Sequence, residues 1–221
     1  VMGRDAGWLT AAAGLPRILG ENTADLIYLP EVAFDEEKFI ADLKKQLEIK
    51  PNVVVAVSEG IKTESGEYVG EKKQSGAVDI FGHRYLAGTA KYLEGLVKEK
   101  IGCKVRSVEL NLPQRCASHI LSKTDIEESF ETGKTSVAFS TRSETNNGYV
   151  TVLRRREGDG YRIDYDCVHA ENIANKTKSV PVEMINDGKN NVKDELLWQI
   201  LPLIEGEISV PTERGLPKHF K

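Results

Sequence analysis

Residues 25–60 read DLIYLPEVAFDEEKFIADLKKQLEIKPNVVVAVSEG, and this stretch decides the fold class. "DLIYLPE" is a short apolar run closed by Pro30, the pattern of a buried strand. In "FDEEKFIADLKKQLEI", Phe39, Ile40, Leu43 and Leu47 recur at helical spacing on one face. Asp35 stands where an N-cap accepts from free backbone N–H groups. "NVVVAVSEG" is a second buried strand, β-branched and uninterrupted. Strand, helix and strand at these lengths form a βαβ unit, which predicts an α/β fold with a mainly parallel sheet.

Working outward, "RDAGWLTAAAGLPRI" is rich in Ala and Leu and predicts a helix from Arg4 to about Ile18, limited by Pro16. "IKTESGEYVGEKKQSG" reads as a loop or a small exposed hairpin. "HRYLAGTAKYLEGLVKEKI" places Leu86, Ala90, Leu93 and Val97 on one helical face, with Gly102 as its stop. "KVRSVELN" spaces Val105, Val108 and Leu110 as a strand. "SKTDIEESFETGKTSVAFS" predicts a helix with a Thr124–Glu127 capping box and Ile126, Phe130 and Val137 on one face. Past Asn147, "GYVTVLRRR" and "YRIDYDCV" flank "EGDG" as an antiparallel hairpin over 148–168. A short helix is expected near "VKDELLWQIL".

Composition limits the function. A net charge of -4 over 221 residues argues against a general nucleic-acid binder, which needs a basic footprint. No run of about 18 apolar residues is long enough for a membrane helix, and no signal-peptide pattern is present. The 3 cysteines, Cys103, Cys116 and Cys167, lack metal or disulfide spacing and suit free thiols in a cytoplasmic compartment. The chain starts at Val1 with Met at position 2, which reads as a piece of something longer.

In open α/β sheets, ligands sit at the carboxyl ends of the strands. Three turns are expected there, and their charged residues are Arg4, Glu59, Arg115 and His119. Arginine holds phosphate through a planar fork, and a glutamate accepts from sugar hydroxyls. Such a set suits a ligand with phosphate and hydroxyls. Each residue also has a structural reading. Arg4 at a helix start opposes the helix dipole, so a solvated surface arginine is its simplest alternative. With helix-terminal N–H groups it would instead form one anion site. Arg154, Arg155 and Arg156 read as a basic strand end in water.

Four motifs in these regions, "VMGRDAGWLTAAAGL", "VVVAVSEGI", "DIFGHRYLAGTAKYLEGLV" and "VELNLPQRCASHILSKTDIEE", resemble 6-phosphofructokinases, most closely the pyrophosphate-dependent branch. The likeness runs from Val1 to about Ile185. It implies a Rossmann-like three-layer domain. It also implies phosphorylation of fructose 6-phosphate at its 1-position by the whole protein, in glycolysis. Met2, Gly3 and Arg4 match the motif that contacts fructose 6-phosphate, with Arg4 also near the transferring phosphoryl group as a catalytic stabiliser. Glu59 matches the carboxylate on the sugar hydroxyls. Gln114 and Arg115 match the pair that holds the 6-phosphate. His119 and Lys123 stand in for a further basic residue of the family pattern, since "CASHILSKTD" replaces its Gly-Gly continuation. For His119 and His83 a structural role is an equal reading, and Lys123 also reads as a helix-start neighbour.

The resemblance also implies what is absent. The glycine-rich phosphate loop, the magnesium-binding Asp and the Thr-Ile-Asp catalytic segment of the family's first domain are not in this sequence; Thr124-Asp125-Ile126 reads as a helix start. The expectation is a sugar-phosphate-binding C-terminal part over 1–178 and an extension over 179–221, with the N-terminal donor-binding domain missing. No metal ligand is expected in this chain, and Mg2+ belongs to the absent domain. The donor is pyrophosphate, or ATP as the alternative. A non-catalytic sugar-phosphate-binding module is the third reading. Expected partners are fructose 6-phosphate, the missing domain and a second copy in a dimer or tetramer, but neither nucleic acid nor membrane.

Overall fold

The computed structural model describes residues 1–21, 23–70, 88–142, 147–158 and 160–218. In chain order come α1 (Trp8–Ala11), α2 (Leu15–Ile18), β1 (Leu26–Tyr28), α3 (Glu36–Ile49), β2 (Val55–Val57), α4 (Thr89–Lys100) and α5 (Asn111–Cys116). Then follow α6 (Lys123–Ser140), β3 (Tyr149–Arg155), β4 (Ile163–His169), α7 (Asp194–Ile200), β5 (Thr212–Glu213) and β6 (Leu216–Pro217).

The βαβ pairing is met, although β2, expected as a buried strand, is only half-buried. β1 and β2 pair in parallel, with Leu26 opposite Val55 and Tyr28 opposite Val57. Asp35 caps α3 by accepting from Lys38 N. Phe39 and Leu43 are buried, and Ile40 and Leu47 pack beside them. Leu26, Tyr28, Phe34, Ile61, Val69, Leu93 and Val97 complete this core. Inside it, the Tyr28 ring meets Phe34 and Phe39 edge-on, each at 5.4 Å between centroids. Ile27 points to the other side of β1, where it and Leu197 of α7 close on Gly14. β1 is therefore buried on both faces, as a parallel strand requires.

The chain forms two compact units: Val1–Cys116 with Thr177–Gln199, and Ala117–Lys176 with Ile200–Lys221. The expected extension 179–221 is thus divided. Its first part belongs with unit 1 because α7 buries Leu196 and Leu197 fully. Arg17 also binds Asp194 at 2.9 Å, Asn191 Oδ1 at 2.9 Å and the Val192 carbonyl at 2.7 Å.

In unit 2 the hairpin is present, with Tyr149 opposite His169 and Arg155 opposite Ile163. Its basic end is paired: Arg154 meets Asp166 at 2.9 Å, Arg156 meets Asp164, and Arg155 lies 4.9 Å over the Tyr161 ring. α6 packs on the hairpin through Tyr161 donating to Glu128 at 2.5 Å, Ser136 bonding Thr151 at 2.6 Å and the Phe139 ring 5.2 Å from that of Tyr149.

Several expectations need correction. The first helix starts at Trp8 with Gly7 as N-cap, so Arg4 lies in a bend before it. "KVRSVELN" forms no strand among the described residues. Its inward set is Cys103, Val105, Ser107 and Glu109, and Val108 points out with 73% exposure. Side-chain bonds hold it: Ser107 donates through N at 3.2 Å and through Oγ at 2.5 Å to Glu94 of α4. The region around Gln114 is the helix α5, where Pro113 fits because early helical positions need no N–H partner. α6 is capped by Ser122, which accepts from Asp125 N at 3.0 Å, two residues before the expected Thr124. Its Ile126, Phe130 and Val137 face is exposed rather than core. Among the described residues the parallel pairing is β1–β2 alone, while β3–β4 and β5–β6 are antiparallel. Leu86 lies outside the described residues.

Candidate functional site

The ladder between β1 and β2 runs one residue past β2, where Ser58 N donates to Tyr28 O at 3.0 Å. The residues that follow β2 hold the start of the chain. Ser58 is fully buried and donates through Oγ to the Gly3 carbonyl at 2.6 Å, while accepting from Gly60 N at 3.1 Å. Glu59 N donates to Val1 O at 2.9 Å, and Glu59 Oε1 accepts from Gly3 N at 3.3 Å. Thr89, the buried first residue of α4, donates to Glu59 O at 3.0 Å. A Cβ on Gly60 would collide with the Arg4 carbonyl, so only glycine admits this close approach of two backbones. Gly3 itself has φ 139°, a conformation that side chains rarely adopt.

From α5, Gln114 completes the bracket. Its Oε1 accepts from Met2 N at 2.9 Å and its Nε2 donates to Met2 O at 3.4 Å. Three segments far apart in sequence thus meet at Met2-Gly3-Arg4. Arg115 follows Gln114 on α5, is exposed, and makes no ion pair with the described residues. Arg4 is half-buried in the bend. Its neighbour Asp5 accepts from Lys62 at 2.9 Å and Tyr68 at 3.0 Å. Burial alone would raise the Asp5 pKa, but these two bonds, with the charges of Lys62 and Arg4, hold it below the ordinary value.

The anion site expected from Arg4 and helix N–H groups takes a different form. The N-terminus of α1 is occupied by the protein's own Glu31, whose Oε1 accepts from Gly7 N and Val180 N, each at 2.8 Å. A carboxylate there suits the helix dipole.

His119 and Lys123 belong to unit 2. His119 sits in an exposed turn of 3-10 helix, Ser118–Ile120. Lys123 opens α6 with its side chain 3.6 Å from Glu127. His83 lies outside the described residues.

A small cavity of about 20 Å³ adjoins the bracket, lined by Met2, Glu59, Thr89, Glu109 and Asn111 among others. Sequence reasoning passed over Ser58, Gly60, Thr89 and Glu109. Ser58 and Gly60 flank Glu59 in the same tripeptide. No local pattern marks Glu109 as inward, since its apolar neighbour Val108 is the residue that faces out. Among the described residues no group of three or more His, Cys, Asp or Glu could hold a metal ion. No helix among them is long and apolar enough to cross a membrane.

The chain has clear relatives. Residues 1–121 match the family described as "PFK: Phosphofructokinase". The chain is 33% identical over 219 residues to the pyrophosphate--fructose 6-phosphate 1-phosphotransferase of Methylococcus capsulatus, covering 99% of this chain and 51% of that protein. It is 34% identical over 219 residues to the protein of the same name from Xanthomonas campestris pv. campestris, again covering 99% and 51%. The crystal structure of pyrophosphate-dependent phosphofructokinase from Nitrosospira multiformis superposes with a TM-score of 0.82 at 29% identity, covering 99% of this chain and 50% of that one. The chain therefore spans about half the length of the relatives it matches.

Proposed function

The chain belongs to the phosphofructokinase family, and on that premise we propose that it is the fructose 6-phosphate-binding half of a pyrophosphate-dependent phosphotransferase. The whole protein transfers a phosphoryl group from pyrophosphate to the sugar 1-hydroxyl, giving fructose 1,6-bisphosphate. The relatives' names support this donor and acceptor. One observation carries the reading: Glu59 and Gln114 both fasten the backbone of Met2-Gly3, so three motifs converge on one point.

Each residue then has a role. Arg115, exposed on α5, grips the 6-phosphate through its guanidinium fork. Glu59 accepts a sugar hydroxyl. Met2, Gly3 and Gln114 fix the acceptor in place, an entropic contribution to rate. Arg4 neutralises charge on the moving phosphoryl group, which matters because phosphoryl transfer is mostly positioning and charge screening. His119, Lys123 and His83 remain further candidates for phosphate contact. Unit 1 is one part of a Rossmann-like three-layer domain.

The donor site and the base that takes the 1-hydroxyl proton lie in the half of the protein this chain lacks. Magnesium, which screens phosphate charge, belongs there too, and no step is routed through it here. The free thiols of Cys103, Cys116 and Cys167 suit a cytoplasmic setting, and a homo-oligomer is the expected assembly.

Assay of the full-length protein with each donor tests the reading. Turnover of fructose 6-phosphate with pyrophosphate, and little with ATP, is expected. Turnover with ATP alone overturns the donor assignment, and none with either overturns the function.

A further inference from the structure

A carboxylate oxygen shut away from water needs a donor, because burial removes its solvent hydrogen bonds. Three solvent-shielded side-chain oxygens have no such partner among the described residues: Thr10 Oγ1, Glu31 Oε2 and Glu109 Oε1. Thr10 is neutral, and Glu31 already accepts two N–H groups through its other oxygen. Glu109 is different, since it lines the small cavity beside Glu59 and Met2. That cavity, about 20 Å³, has room for one hydroxyl-sized group. Glu109 is also held in place from both sides. Two residues before it, Ser107 is tied to Glu94. Two residues after it, Asn111 opens α5, which is tied to Met2 through Gln114.

We propose that Glu109 is a second acceptor for a hydroxyl of the sugar phosphate, working beside Glu59. The proposal rests on the fructose 6-phosphate reading above and adds to it a rule of orientation. Two carboxylates lining one cavity, beside the Val1 ammonium, accept hydroxyls, whereas Arg115 on α5 attracts phosphate. The substrate therefore enters with a hydroxyl toward Glu59 and Glu109 and its phosphate toward Arg115. A site built to bind a hydroxyl also rejects analogues that lack it, because the buried acceptor is then left unpaired.

The test uses the full-length protein, with steady-state kinetics on fructose 6-phosphate and on its 3-deoxy and 4-deoxy analogues. Glu109→Gln keeps size but removes charge. It is expected to raise KM for fructose 6-phosphate by about 10-fold with kcat within about twofold, the loss of one charge-assisted hydrogen bond. The wild type discriminates against at least one deoxy analogue by about 10-fold in kcat/KM, and the variant, left with a neutral amide acceptor, discriminates less. A variant KM within about twofold of wild type, or discrimination undiminished, overturns the proposal. Should Glu109→Gln fail to fold, Glu109→Asp carries the same readout. Glu59→Gln and Arg115→Ala run in parallel: if neither changes KM, it is the fructose 6-phosphate reading that has failed.

Discussion

Phe39 and Phe130 are both aromatic residues on an amphipathic helix, yet Phe39 is 2% exposed and Phe130 is 69% exposed. The difference runs through the two units. Every buried side chain among the described residues except Ile200 lies in unit 1. Unit 2 is joined by backbone ladders, the Ser122 cap, polar contacts between α6 and the hairpin, and the half-exposed ring contacts of Tyr149 with Phe139 and His169. An apolar stripe therefore identifies a helix face that wants cover, but does not say that this chain provides it. Unit 1 covers α3 with a sheet. On α6 the equivalent stripe of Ile126, Phe130 and Val137 stays exposed, an apolar surface of the kind that pairs with something.

The comparison breaks or sharpens under mutation. Phe39→Ala should cost about 3–5 kcal/mol in urea unfolding, as expected for emptying a packed aromatic site. Phe130→Ala in the same chain should cost no more than about 0.5 kcal/mol. Equal losses would mean that α6 is covered in solution. Gly60→Ala should destabilise unit 1 by about 1–3 kcal/mol, because the new Cβ pushes against the Arg4 carbonyl. The same change should weaken fructose 6-phosphate binding, which calorimetry reads directly. In unit 2, Ser122→Ala should cost about 1 kcal/mol as a lost N-cap, and Thr124→Ala less than half of that. The reverse order would restore the capping box expected at Thr124.

The smallest expected effect is a slope. Hydrogen bonds from Lys98, Ser107 and Lys91 outweigh burial and hold Glu94 well below its ordinary pKa of 4.5. Unfolding releases that carboxylate to bind protons more readily. Its stabilisation is therefore complete above about pH 4.5 and fades as pH falls below it. Glu94→Gln should flatten the stability–pH curve in that acid range, measured by urea midpoints. An unchanged slope would show that the contacts of Glu94 with Lys98, Ser107 and Lys91 are not formed together in solution.

β1 and α3 were legible because their apolar pattern agrees with their burial. Asp35 was legible as a cap for the same local reason. The start of α1 was not, because what fixes it is Glu31, a residue 24 positions from Gly7. Nor was the parity of 103–109, since Val108 is apolar yet faces outward while Glu109 faces in. Glu59 and Gln114 were singled out from their motifs. Their grip on Met2 and Gly3 is a long-range arrangement that no local pattern encodes. Ser58 and Gly60 escaped notice because their work is done on backbone atoms, the Gly3 and Arg4 carbonyls.

The central claim is that this chain carries the acceptor site, and calorimetric titration of the 221-residue chain with fructose 6-phosphate tests it most directly. Saturable binding is predicted, weakened at least about 10-fold by Arg115→Ala through loss of a charge-assisted phosphate contact. Binding that Arg115→Ala leaves unchanged, or no binding at all by the folded chain, would contradict it.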